Sequence, residues 1–144
     1  MANNVTNLSA FFATEMEQIS NEFVVVTERA KDAEGSPIPW EIRALPNKEI
    51  KAIRKECTTV KRNKKGVPQE EFDATKFEMK LCAACVVFPN LLDAELQDSW
   101  GVRTPEELLG KMLLSGEQDT LSQAVMAING YAMDFEEEVE TAKN

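Results

Sequence analysis

The chain contains no histidine. That removes every Ser-His and Cys-His nucleophilic pair and every histidine-containing metal site. Cysteine is scarce too, with three residues, an odd number that does not suit a secreted disulfide framework. No apolar run approaches the length of a bilayer span, since the longest, from Cys82 to Phe88, is far too short. The first residues, Met1-Ala2-Asn3-Asn4-Val5, lack the basic and apolar regions of a secretory signal, so the cytoplasm is the expected compartment. The six glycines are isolated, which leaves no phosphate-cradling loop.

What is present describes an ordinary globular protein. With 144 residues, 43% apolar and 28% charged, the chain is long enough for one domain with its own core. The 16 basic and 25 acidic residues give a net charge of −9, which repels bare nucleic acid and anionic lipid, so neither is an expected partner. The charge is unevenly placed. Eight bases and two acids between Lys48 and Lys65 make that stretch +6 and leave −15 for the rest. The end is acidic through Asp134, Glu136, Glu137, Glu138 and Glu140.

Periodicity predicts a mainly α chain (α+β) with one small β-hairpin near its N-terminus. Leu8, Phe11, Phe12, Met16 and Ile19 fall at helical spacing. Phe23–Arg29 contains a β-branched run, and Ile38, Trp40, Ile42 and Ala44 alternate with polar residues or proline, so these two segments form the expected hairpin. Asn47 reads as an N-cap before a stripe of Ile50, Ile53 and Cys57. Lys61 to Glu71 is polar, contains Gly66 and Pro68, and is expected to be an exposed loop. Asp73 reads as the cap of a central helix reaching Phe88, with Phe77, Leu81, Cys85 and Phe88 inward and Pro89 ending it. Three short helices follow. Leu92, Leu96 and Trp100 mark the first, stopped by Gly101. Thr104-Pro105-Glu106-Glu107 opens the second, which Ser115-Gly116 should end. The third should begin near Thr120, carry Leu121, Ala124, Val125 and Ile128 inward, and stop at Gly130. The organisation expected is a single domain over 1–144: helix and hairpin in 1–45, helical core in 46–131, and an acidic, frayed tail in 132–144.

No catalytic pattern rises above this background. Cys82-Ala83-Ala84-Cys85 has redox or zinc spacing, but it lies inside a predicted helix beside Val86-Val87-Phe88 and has no second pair. Buried structural cysteines are the expected outcome, with no metal and no cofactor. The cluster Lys61-Arg62-Asn63-Lys64-Lys65 lacks aromatic neighbours for base stacking, so it reads as a solvated loop or a contact for an acidic protein. The carboxylates, Asp93 and Asp119 among them, suit helix starts better than a converging pocket. An enzyme is therefore not expected.

Doubled leucines stand apart. Leu91-Leu92, Leu108-Leu109 and Leu113-Leu114 put apolar surface on two faces of short helices, and one small domain cannot hide all of it. Exposed apolar surface of this kind makes a protein-binding groove. The candidate contacts are Leu91, Trp100, Val102, Leu109 and Leu114.

The string from Phe88-Pro89-Asn90-Leu91-Leu92-Asp93 through Ala94-Glu95-Leu96-Gln97-Asp98 to Ser99-Trp100-Gly101-Val102 closely resembles the XkdN-like tail assembly chaperones of phages and defective prophages. So do Thr104-Pro105-Glu106-Glu107-Leu108-Leu109, Met112-Leu113, Leu121-Ser122-Gln123-Ala124-Val125 and the tryptophan segment Gly35–Arg43. The resemblance runs roughly from Leu8 to Tyr131. It implies a non-enzymatic protein of the bacterial host cytoplasm that binds the tape measure protein and keeps it soluble while tail tube subunits polymerise. The tail tube protein and a frameshift-extended form of the chain are further implied partners, and self-association is left open. A structural or adaptor protein retained in the tail is the alternative.

Overall fold

The structure, a computed structural model, describes residues 7–131. The expected acidic tail in 132–144 lies outside the described residues. The N-terminal helix does not form. Leu8–Phe11 makes one 3-10 turn, with Asn7 Oδ1 accepting from the Ser9 N–H at 3.1 Å. After further turns the chain has no regular structure until Glu22. Leu8, Phe11, Phe12, Met16 and Ile19 remain 52–72% exposed. A short helix without packing cannot offset its own nucleation cost, which accounts for the difference.

The N-terminal hairpin is present but shorter than predicted. Strand β1 (Glu22–Val24) pairs antiparallel with β2 (Trp40–Ile42), Phe23 opposite Glu41. The connection is closed by an isolated bridge between Lys31 and Pro37 and by Asp32, whose Oδ1 accepts from the Glu34 and Ser36 N–H groups. A third strand, β5 (Val86–Phe88), joins the other side of β2. Helical spacing alone places those residues at the end of the central helix. Val86 and Val87 are β-branched, and the Arg43 N–H donates to the Cys85 carbonyl at 2.9 Å, so the chain leaves the helix and enters the sheet. Phe88 is consequently 51% exposed rather than core.

Helix α1 (Asn47–Glu56) starts one residue earlier than expected, with Pro46 rather than Asn47 at the cap and no side-chain bond there. Glu49 in its first turn and Arg54 and Lys55 in its last suit the helix dipole. The segment expected to be a loop is a second hairpin. Strands β3 (Thr58–Arg62) and β4 (Pro68–Phe72) pair along their full length, Thr58 opposite Phe72 and Arg62 opposite Pro68. Asn63 Oδ1 accepts from the Lys65 and Val67 N–H groups, and Gly66 supplies the positive φ of the turn, 78°. The local turn chemistry outweighs the polarity of the strands.

Helix α2 (Ala74–Cys85) is capped by Asp73, as predicted, its Oδ1 accepting from Lys76 N–H at 3.0 Å. It packs against α1, α4 (Pro105–Met112) and α5 (Ser115–Ile128). Helix α3 (Ala94–Trp100) has Asp93 at its cap and Gly101 in the left-handed conformation at its end. Thr104 caps α4 through the Glu107 N–H, with Pro105 first in the helix. Helix α5 begins at Ser115, not near Thr120, so Ser115-Gly116 opens a helix instead of ending one. One cluster of buried residues runs from Val26 and Trp40 through Leu81 and Cys85 to Leu108, Leu121 and Ile128. It joins sheet and helices in a single core. Asn129 ties it together, its Oδ1 accepting from Leu45 N–H (2.8 Å) while Nδ2 donates to the Val125 carbonyl (2.8 Å).

Candidate protein-binding surface

The five residues expected to contact a partner divide by position. Leu91, Val102 and Leu109 are buried, with exposures of 3%, 5% and 0%, so in the folded chain they belong to the core and not to the surface. A surplus of leucine marks these helices as apolar on more than one side, but several sides are already covered by α2 and the sheet. Trp100 is half-buried, and Leu114 is 61% exposed.

Trp100 lies in an apolar groove of about 270 Å³. Ala30, Trp40, Pro89, Leu96 and Met112 line it with Trp100. Leu96 and Trp100 are one helical turn apart on α3 and therefore share a face. The groove is concave and mostly aliphatic and aromatic, and it offers no set of convergent polar groups of the kind that fixes a substrate.

Arg29 frames it. Its Nη2 donates to Glu117 Oε1 at 2.6 Å and to the Met112 carbonyl at 2.7 Å, and its Nε donates to Glu117 Oε2 at 3.2 Å. Glu117 also accepts from the Leu114 N–H at 2.9 Å, so one carboxylate caps α5 and holds the loop after β1 against the α4–α5 corner. The Arg29 side chain, helped by the Thr27 hydroxyl and the Leu114 amide, pulls the Glu117 pKa down to about 2. This carboxylate therefore stabilises the fold above the ordinary carboxylate pKa of about 4.3, and that contribution is lost as pH falls toward about 2. A Glu117→Gln variant is expected to melt below wild type at neutral pH, with the gap closing across that window. A gap independent of pH would show that the charged pair is not what Glu117 contributes.

Leu92, not Leu91, is the solvent-facing member of its pair, at 73% exposure. It borders a second cleft of about 270 Å³ with Ile53, Ala83, Ala84 and Pro105. Leu92 and Leu114 thus add exposed aliphatic surface on the C-terminal half. Sequence reasoning missed Leu92, Leu96 and Met112 as surface residues, and it missed the Arg29–Glu117 pair. The four-residue spacing of Leu92, Leu96 and Trp100 could have identified Leu96, but no local signal connects two residues 88 positions apart.

The three cysteines are buried and free. Burial pushes all three thiols up, Cys82 to about 11. Gln118 Nε2 donates to the Ser122 hydroxyl at 3.0 Å, and that hydroxyl sits 3.5 Å from the Cys82 sulfur. Among the described residues no group of three or more histidine, cysteine, aspartate or glutamate side chains is placed to hold a metal. Burial of all three thiols, with Cys82 pushed up to about 11, should make native protein label with a thiol reagent much more slowly than unfolded protein. Equal rates would place these thiols at the surface. No described helix is long and apolar enough to cross a membrane.

The chain matches a family model described as phage XkdN-like tail assembly chaperone protein over residues 8–143. No curated protein matches it. Among solved structures, the crystal structure of the protein yqbn is similar, with a TM-score of 0.75 and 24% sequence identity. The match covers 89% of this chain and 99% of that one, and it shows a shared fold.

Proposed function

Because the chain belongs to the phage XkdN-like tail assembly chaperone family, we propose that its client is the tape measure protein, which it keeps soluble while the tail tube assembles. The role is carried out by binding alone, in the cytoplasm of the bacterial host. The observation that carries this reading is the apolar groove around Trp100, together with exposed Leu92 and Leu114 elsewhere on the C-terminal half, on a chain of net charge −9. A long apolar helical client needs grooves that accept aliphatic and aromatic side chains. The carrier needs a charge far from zero to stay in solution.

The working contacts under this reading are Trp100 and Leu114 of the expected set, joined by Leu92. Leu91, Val102 and Leu109 are core residues and make no contact with a client on the folded chain. The tail tube protein and an extended form of the chain are further proposed partners. Purification of the chain from induced cells, followed by mass spectrometry, should recover the tape measure protein. Assembled particles should lack the chain. Finding it in finished particles at a fixed stoichiometry would overturn the chaperone reading in favour of a tail component.

A further inference from the structure

Two exposed surfaces remain outside the groove, and their chemistry is complementary. The N-terminal arm, residues 8–19, exposes Leu8, Phe11, Phe12, Met16 and Ile19. It precedes the first basic residue of the chain, Arg29, and carries Glu15 and Glu17. The β3–β4 hairpin projects with nearly every residue exposed. Val60 is 64% exposed, Val67 51% and Phe72 42%, and Lys61, Arg62, Lys64 and Lys65 lie at and around its turn. The pairing register puts Val60, Arg62 and Phe72 on one face, with Glu70 as the acid there.

We propose that copies of this chain associate head to tail, the arm of one copy packing on the β3–β4 hairpin of the next. Each surface has what the other lacks: the arm is apolar and acidic, the hairpin apolar and basic. Their lengths agree. Twelve residues in helical form span ~18 Å, and a five-residue strand spans ~17 Å. The arm has a helical stripe in sequence, at positions 8, 11, 12, 16 and 19, yet forms only one 3-10 turn while these side chains stay exposed. Docking on the hairpin supplies the packing that completes the helix. Within one chain these side chains stay exposed, so the arm does not use its own hairpin. Two different surfaces meeting make a heterologous contact, which repeats from copy to copy into a ring or an open row. This inference goes beyond client binding and does not depend on it.

The test is sedimentation of the full chain over a range of concentrations. Mass should rise with concentration at about 0.05 M salt and fall back toward the monomer at about 0.5 M, because the contact is partly electrostatic. Phe11→Asp/Phe12→Asp in the arm and Lys64→Glu/Lys65→Glu in the turn change only exposed residues, so both variants should keep the wild-type melting temperature. Each alone should be at least ~10-fold weaker in self-association. Mixed together, they should form a dimer that grows no further, since one supplies an intact hairpin and the other an intact arm. A chain that stays monomeric throughout, variants that associate like wild type, or a mixture that fails to pair would each overturn the proposal.

Discussion

Aspartate in place of Leu109 is expected to leave the chain unfolded, whereas aspartate in place of Leu114 should leave its thermal melt unchanged. The two leucines look alike in the sequence, each the second of a doublet. Their environments are opposite, with Leu109 fully buried in α4 and Leu114 61% exposed at the start of α5. Burying an unpaired carboxylate costs several kcal/mol or forces it to take up a proton. The net stability of a domain is only about 5–15 kcal/mol. Circular dichroism melts of the two variants check this directly. A folded Leu109→Asp protein with the wild-type midpoint would mean that α4 does not sit against the core as described.

The second large effect is expected in α2. Leu81 is 1% exposed and lies on the helix that touches α1, α4 and α5. Leu81→Ala should cost about 2–5 kcal/mol, because the cavity is walled by several elements that cannot all close on it. Urea unfolding should show a midpoint lower by about 1 M or more. Phe77→Ala should fall in the same energy range with an added local effect. The Phe77 ring lies 5.6 Å from that of Phe72, and the Arg54 guanidinium sits 4.8 Å above it, so this side chain also anchors the base of the β3–β4 hairpin. A loss below about 0.5 kcal/mol for both substitutions would show that the α2 stripe is not core.

What the sequence made legible was local. Asp73, Asp93 and Thr104 cap helices where short polar side chains precede apolar stripes, and Gly101 and Gly130 take the positive φ that ends helices. The inward residues Phe77, Leu81, Cys85, Leu121, Val125 and Ile128 follow from helical spacing alone. Failures came where tertiary context decides. The arm has the helical pattern, but among the described residues no surface completes it. The β3–β4 hairpin is too polar for a periodicity argument and is defined by Asn63 and Gly66 in the turn. Strand β5 continues an apolar helical stripe, and only its partner β2 makes it a strand. Exposed apolar surface was legible as a region and not as residues. Doubled leucines announce two apolar faces without saying which one the rest of the fold covers, so Leu91 and Leu109 were indistinguishable from Leu92 and Leu114 until the packing was known.

On the proposed function, apolar surface on the C-terminal helices keeps the tape measure protein in solution. Co-expression of the two proteins, followed by measurement of the soluble fraction of the tape measure protein, tests it most directly. Wild-type chain should raise that fraction well above its level when expressed alone, and a folded Leu92→Asp/Leu114→Asp variant should leave it near that baseline. A tape measure protein that is equally soluble with wild type, with the folded variant and with no partner at all would contradict the claim.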